Sequence, residues 1–360
     1  CLGRSRFGQR TFKNCEGGVM SQNRLVSIVC ITYNHERFIR DALDGFVMQK
    51  TNFPFETLIN DDASPDKTAD IIREYESKYP DLFRCVYQTE NQWGKKNPFT
   101  DILFPMVRGK YVALNEGDDY WTDENKLQKQ VDFMETHSDF SVCFHPVTVH
   151  WDDNSEPDSV FPSARERFDK TELTLDDLLK RNFIQTNSVL YRWRFHRDSL
   201  KLFPDGILPM DWYLHLLHAQ TGKIGFLPDV MSVYRRNQGG IWTEAERTPR
   251  WFVRCGIPFV RFWQNMQKQF NLDCRAKIKD TALLTKLCLS NAGQKDALAE
   301  LLAICPDIPE MPRFVRLKLF LYTVVKPFTF KKRRKEISGR KKFLKRILLL
   351  KKEKRHDQQN

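Results

Sequence analysis

A chain of 360 residues, 41% hydrophobic and 12% aromatic, can bury one large or two ordinary cores, which excludes disorder or low complexity for most of its length. The formal charge of +12 misleads as an average: residues 311–360 hold 18 Lys and Arg against 3 Asp and Glu, whereas residues 1–310 hold 40 against 43, so the basic character belongs to the C-terminal tail. Nine cysteines without a C-x-x-C pair argue against a zinc framework or a disulfide scaffold and for reduced, mostly buried thiols in a cytosolic protein, and no apolar run approaches the ~18 residues of a membrane span.

Residues 1–24 are polar and lack the apolar core of a signal peptide. The sequence opens on Cys1, with Met20 just ahead of the first β-prone run, and residues 1–19 read as a disordered leader or an upstream translation artefact. Leu25 to Thr32 is nearly continuous in β-prone residues, as a central parallel strand requires. Tyr33-Asn34-His35 interrupts it, and Glu36 to Gln49 carries Phe38, Ala42, Leu43 and Phe46 at helical spacing. The unit repeats at once. Phe55 to Asn60 is strand-like, Asp61 to Asp66 is turn chemistry, and Lys67 to Tyr79 resumes the 3.6-residue period through Ala69, Ile72 and Tyr75. Leu82 to Tyr87 reads as a third strand, Pro98 to Val107 as a short helix and Tyr111 to Asn115 as a fourth strand. Alternation of this kind predicts an α/β fold with a mostly parallel sheet and helices on both faces. Ligands of such sheets bind beyond the carboxyl ends of the strands, where Thr32-Tyr33-Asn34, Asp61-Asp62 and Glu116-Gly117-Asp118 would all gather.

The fourth strand ends in three carboxylates around one glycine. If the chain stays extended, the period of two puts Glu116 and Asp118 on one side and Asp119 on the other, with Gly117 allowing close approach to the backbone. Such oxygen ligands suit Mg²⁺ or Mn²⁺, which take the rest of their shell from water and phosphates; the same spacing also describes a solvated acidic turn.

Further along, Asp123 to His137 reads as an amphipathic helix capped by Thr122, and Phe140 to Trp151 as one long β run. Asp152 to Arg167 is a polar insertion, and Thr186 to Tyr191 a further strand. Pro209 precedes a helix that places Asp211 in its first turn, where the helix dipole favours a carboxylate. His215 and His218 on that helix lack further ligands for a metal site. Arg235 and Arg236, followed by Gly239-Gly240, suit a loop closing over a diphosphate, or an exposed basic turn. From Thr243 to about Val325 the pattern is helical, with no identifiable chemistry. Beyond Lys331, Lys341, Lys342, Lys345 and Arg346 interleave with Phe343, Leu344, Ile347 and Leu348, the make-up either of a segment lying on an anionic membrane or of a solvated basic tail. The tail has few aromatics to stack bases, which argues against nucleic acid as a partner.

Three motifs in order, Val26 to Asn34, Asn60 to Thr68 and Glu116-Gly117-Asp118-Asp119, resemble family 2 glycosyltransferases of the GT-A fold, and the resemblance covers about residues 25–242. With the patterns on either side, the chain divides into four segments: a disordered leader (1–24), the catalytic domain (25–242), an accessory helical region (243–327) and a basic amphipathic tail (328–360). The resemblance implies an inverting transfer from a nucleoside-diphosphate sugar, UDP-linked, to a hydroxyl, with a divalent cation, Mg²⁺ or Mn²⁺, held by Asp118. Thr32 and Tyr33 would frame the nucleobase, Asp62 would bond it and Glu116, where an aspartate is commoner, would reach the ribose. Asn34, Glu36, Ser64, Gly117 and Arg235 would complete the nucleotide-sugar site. Asp211 would be the general base, and related sequences often carry a histidine where this one has Asn237. The partners implied are a nucleotide sugar and a saccharide or lipid-linked acceptor of bacterial surface polysaccharide assembly, to which the basic tail adds an anionic membrane surface at the inner face of the cell membrane. A nucleotidyltransferase would share the sheet but calls for a Gly-rich basic signature that Thr32 to Glu36 lacks. A non-catalytic nucleotide-sugar or membrane-binding protein is the remaining alternative, against which Asp62, Asp118 and Asp211 stand together.

Overall fold

The structure, a computed structural model, describes residues 24–163, 172–195, 199–237, 240 and 248–308. The expected leader before Arg24, the end of the polar insertion, Gly239 and the basic tail lie outside the described residues. The chain divides into two compact units, residues 1–238 and 239–360.

In the first unit the elements run β1 (Val26–Thr32), α1 (Ile39–Val47), β2 (Phe55–Asp61), α2 (Thr68–Lys78), β3 (Phe83–Tyr87), β4 (Tyr111–Glu116), β5 (Tyr120–Trp121), α3 (Lys126–Thr136), β6 (Phe140–Phe144) and β7 (Val147–Trp151). They continue with β8 (Ser159–Phe161), β9 (Glu172–Leu173), α4 (Leu175–Lys180), β10 (Leu190–Arg192), α5 (Met210–Ala219), β11 (Lys223–Phe226) and β12 (Ser232–Arg236). The main sheet has the order β3-β2-β1-β4-β10-β6-β11-β9, and a smaller one the order β5-β12-β7-β8. Strands β3, β2, β1 and β4 are parallel, and β10 runs antiparallel between β4 and β6. The fold is therefore mixed α/β, with helices packed around a large sheet. Its core joins Val26, Ile28 and Cys30 of β1 to Leu43 and Phe46 of α1, Ile59 of β2 and Val131 and Met134 of α3.

Register determines where the polar ends arrive. Thr32 pairs with Asp61 and Ile31 with Glu116, so β1, β2 and β4 leave the sheet at one level. At the opposite edge Glu56, 1% exposed, accepts from Ser27 Oγ (2.8 Å) and Arg84 Nη1 (2.9 Å), and Gly109 N donates to Ser27 Oγ (2.9 Å). A Cβ on Gly109 would stand 2.5 Å from Ser27 N, so only glycine allows this close entry into β4.

Several local expectations are corrected. The run Phe140 to Trp151 is two strands in different sheets, because Pro146 has no N–H for a ladder. Thr186–Ser188 is a single 3-10 turn leading into the three-residue β10. Residues Pro98–Leu103 form a π turn and Phe104–Met106 a 3-10 turn, with Asn97 capping through Oδ1. Helix α3 starts at Lys126, so Thr122 is not its cap; Thr122 N donates to Met231 O instead (3.0 Å). The chain also does not stay extended past Glu116: Asp119 N donates back to Glu116 O (3.0 Å), making a turn of the acidic stretch.

The second unit contains α6 (Pro249–Phe270), α7 (Arg275–Asn291) and α8 (Lys295–Ile304) among its described residues. Thr248 caps α6, with Pro249 in its first turn. Helices α6 and α7 approach closely where Gly256 faces Thr285, whose Oγ1 would lie 2.2 Å from an added Cβ.

Lys126 yields a stability prediction. It is 0% exposed, its Nζ donates to Gln130 Oε1 (2.7 Å) and lies 4.0 Å from the Trp121 ring centroid, and burial pushes its pKa down to about 7. An unfolded lysine titrates near ~10.4, so between the two values the unfolded chain binds more protons and stability rises with pH. Lys126→Met should therefore gain most over the parent at pH 7 and lose that advantage by pH 10. Urea denaturation of both proteins across that range checks it, and a difference that does not change with pH would contradict the lowered pKa of the buried lysine.

Candidate active site

The loops after β1 and β2 are laced together. Asp62 N donates to Thr32 O (3.0 Å), Asn34 N to Ser64 Oγ (2.9 Å), and Ser64 Oγ to Asp61 Oδ1 (2.6 Å). Asn34 and Ala63 adopt positive φ (59° and 58°), the left-handed turns that this lacing needs. Glu36 N donates to Asp66 Oδ2 and Lys67 N to Glu36 Oε2, both at 3.0 Å, so the Glu36 carboxylate closes the loop pair. Tyr33 is 46% exposed above the sheet edge. Asp62 Oδ1 accepts from Gln92 N (2.7 Å), and burial raises its pKa.

The acidic turn adjoins these loops. Gly117 N donates to Ile31 O (2.9 Å), and a Cβ on Gly117 would stand 2.5 Å from Thr32 Oγ1 and 2.9 Å from His35 Nδ1. Asp118 Oδ2 accepts from Asn237 Nδ2 (2.7 Å). Burial, then Asp118 and Asp211, raise the Glu116 pKa, and burial, then Asp118 and Glu116, raise that of Asp119 well above the usual carboxylate range. Asp119 is 1% exposed; its Oδ1 accepts from Arg235 N (2.8 Å) while Oδ2 has no hydrogen-bond partner.

Arg235 is placed differently from its expected loop. It lies in β12, its Nη1 donates to Asp118 O (2.9 Å), its Nη2 to Asp41 Oδ2 (2.7 Å), and its guanidinium stacks against Phe38 and Tyr120 at 4.9 and 4.7 Å from the ring centroids. Both guanidinium ends thus bind protein, pinning the acidic turn to α1. Arg236 stacks on Trp151, 5.0 Å from its centroid.

Asp211 reaches the same neighbourhood from across the sheet. Because β10 is antiparallel to β4, the turn entering β10 stands beside the exit of β4, where Trp121 Nε1 donates to Asn187 O (3.0 Å). Thr186 Oγ1 and Asn182 Nδ2 each lie 3.4 Å from Asp211 Oδ2. Burial raises the Asp211 pKa against the hydrogen bonds of Trp212 N, Thr186 and Asn182, and its side chain keeps 24% exposure. His215 and His218 are 0% exposed. His215 Nδ1 lies 2.5 Å from Tyr191 OH and Nε2 3.9 Å from Asp211 Oδ2, and burial drives its pKa down to about 3, so the ring is neutral.

Thr32, Asn34, Glu36, Asp62, Ser64, Glu116, Gly117, Asp118 and Asp211 thus stand at one edge of the sheet. The donor set suits a divalent cation: mutually repelling carboxylates, a buried Asp119 Oδ2 without a hydrogen-bond partner, and an Asp118 whose side chain keeps 13% exposure. Among the described residues no group of three His, Cys, Asp or Glu forms a metal cage. Sequence reading missed Asp41, Asn182 and His35; only His35, directly after Thr32-Tyr33-Asn34, carried a local signal.

The family model described as Glycosyl transferase family 2 matches residues 27–237. Uncharacterized protein Rv1520 of Mycobacterium tuberculosis (strain ATCC 25618 / H37Rv) is 50% identical over 231 residues, which span 64% of this chain and 64% of that relative's length. The putative teichuronic acid biosynthesis glycosyltransferase TuaG of Bacillus subtilis (strain 168) is 32% identical over 247 residues, covering 66% of this chain and 90% of the relative. The crystal structure of S. aureus TarS 1-349 in complex with UDP-GlcNAc aligns with a TM-score of 0.48 at 20% identity, over 87% of this chain and 77% of that one.

Proposed function

The chain belongs to glycosyl transferase family 2, and from that premise we propose that it transfers a sugar from a UDP-linked donor to a hydroxyl, with inversion at the anomeric carbon. The observation that carries the reading is the insertion of β10 antiparallel beside β4, which brings the Thr186 turn, with Thr186 Oγ1 3.4 Å from Asp211 Oδ2 in the first turn of α5, to the edge where β4 runs into the acidic turn. Asp211, with its raised proton affinity and partial exposure, takes the proton of the acceptor hydroxyl as that oxygen attacks the anomeric carbon. The bond from that carbon to the diphosphate breaks on the opposite side, and its electron pair leaves with the diphosphate. Asp118 would hold a divalent cation that neutralises charge on the leaving group. Thr32, Tyr33 and Asp62 serve the nucleobase, Glu116 the ribose, and Asn34, Ser64 and Gly117 the surrounding donor wall. Glu36 and Arg235, whose charged groups bind protein, act as positioning residues.

TuaG is named for teichuronic acid biosynthesis, and on that analogy the acceptor is a surface polysaccharide or its lipid-linked precursor. The charge of residues 311–360 supports contact with an anionic membrane at its cytoplasmic face. Among the described residues no helix is long and apolar enough to cross a membrane.

A thermal-shift panel of nucleoside diphosphates tests the donor reading. UDP should raise the Tm with Mn²⁺ and much less without it, since a ligand at ~100 times its Kd stabilises the native state by about 2.7 kcal/mol. A panel in which no nucleoside diphosphate moves the Tm with either Mg²⁺ or Mn²⁺ would sink the proposal.

A further inference from the structure

We propose that His35, through Nε2, is a second protein ligand of the cation held by Asp118, and that the site therefore favours Mn²⁺ over Mg²⁺. The inference rests on the reading of Asp118 as the carboxylate ligand. Its geometry is specific. His35 Nε2 stands 3.9 Å from Asp118 Oδ2, and the His35 side chain is 21% exposed. Two ligand atoms on one octahedral ion lie about 3 Å apart when adjacent and about 4.2 Å apart when opposite, given bonds near ~2.1 Å, so a small ring rotation brings both atoms onto one ion.

The ring is held ready for this. His35 Nδ1 lies 3.1 Å from Thr32 Oγ1, a residue 4% exposed. With Nδ1–H donating to that oxygen, Nε2 keeps its lone pair and faces the acidic turn, the arrangement usual for a metal-binding histidine. The backbone is fixed as well: His35 N donates to Thr68 Oγ1 (2.8 Å), and His35 O accepts from Phe38 N and Ile39 N (2.9 and 2.8 Å) at the start of α1. Gly117 is what lets the ring lie here, because a Cβ there would press on both Thr32 Oγ1 and His35 Nδ1. Across the site, Asn237 offers Asp118 Oδ2 a neutral amide N–H, which a cation would displace, and Arg235 turns its guanidinium to Asp41 and the Asp118 carbonyl. An imidazole nitrogen suits transition ions better than Mg²⁺, which prefers oxygen and gives up its water reluctantly.

Pulsed EPR of the full chain loaded with Mn²⁺ and UDP tests the proposal. Modulation from a directly bound ¹⁴N is expected, moving to ¹⁵N frequencies when the histidines of the unmodified chain are ¹⁵N-labelled, and disappearing in His35→Gln. Mn²⁺ affinity should fall at least about tenfold in that variant and Mg²⁺ affinity far less; Thr32→Val should weaken Mn²⁺ by roughly tenfold with the modulation retained. Bound Mn²⁺ without nitrogen modulation, or with modulation that survives His35→Gln, overturns His35 as a ligand and leaves the Asp118 reading standing. Failure of Mn²⁺ to bind alongside UDP, or binding unchanged in Asp118→Ala, overturns both.

Discussion

Replacing Asp211 by asparagine is expected to lower sugar transfer by about 10²–10⁴-fold with nucleotide-sugar affinity unchanged, the loss typical of a missing general base. Asparagine keeps the shape, can accept from Thr186 Oγ1 through its carbonyl and sits as well in the first turn of α5, so the fold has little reason to change. The parent should also show a characteristic pH dependence. Burial holds the Asp211 pKa above the ordinary carboxylate range, and the group accepts a proton only when ionised. Activity should therefore be lost as pH falls through that raised pKa, at a higher pH than a solvated aspartate would give. Steady-state kinetics of the parent and Asp211→Asn, beside calorimetric donor affinity, provide the check. Activity within a few-fold of the parent would move the base elsewhere, with Glu116 next to be tested.

Asp118→Ala should abolish Mn²⁺-dependent binding of UDP without unfolding the chain. The side chain can go because the turn is held without it: Arg235 Nη1 donates to Asp118 O, Gly117 N donates to Ile31 O, and the Asp119 side chain accepts from Arg235 N through Oδ1. Removing this carboxylate also relieves repulsion that raises the pKa of both Glu116 and Asp119, so the metal-free variant should melt no lower than the parent. Calorimetry with UDP, with and without Mn²⁺, measures the first effect and a melting curve the second. Unchanged Mn²⁺-dependent affinity would remove Asp118 from the cation site.

Local pattern made much of this legible, since each signal is contained within a few residues. The β-prone run Leu25 to Thr32, the 3.6-residue period through Phe38, Ala42, Leu43 and Phe46, and the turn chemistry of Asp61 to Asp66 all announce strand, helix and loop in order. Parallel strands have one carboxyl edge, so the order of elements alone sends Thr32, Asp62 and Glu116 to the same side. Asp211 in the first turn of a helix was legible for the same reason, with Pro209 marking its start.

Pairings between distant parts of the chain were not legible. Nothing in the sequence near Arg235 says that its guanidinium turns inward to Asp41, 194 residues away, because the choice between phosphate and protein depends on which carboxylate α1 presents beside β12. Glu36 looks like a solvated charge until the two loops meet and its carboxylate accepts from Lys67 N. Asp211 belongs with Glu116 only because β10 inserts antiparallel beside β4 and carries the Thr186 turn to that edge. The placing of His35 against Asp118 likewise depends on Gly117 crossing directly over Thr32, a contact set by the β1–β4 register. The sequence by itself determined which chemical groups stand at the ends of the strands, through short-range periodicity and turn propensity. Only the tertiary structure decided which of those groups bind each other and which stay open to a ligand, because a charge's partner depends on the long-range pairing that brings another charge within reach.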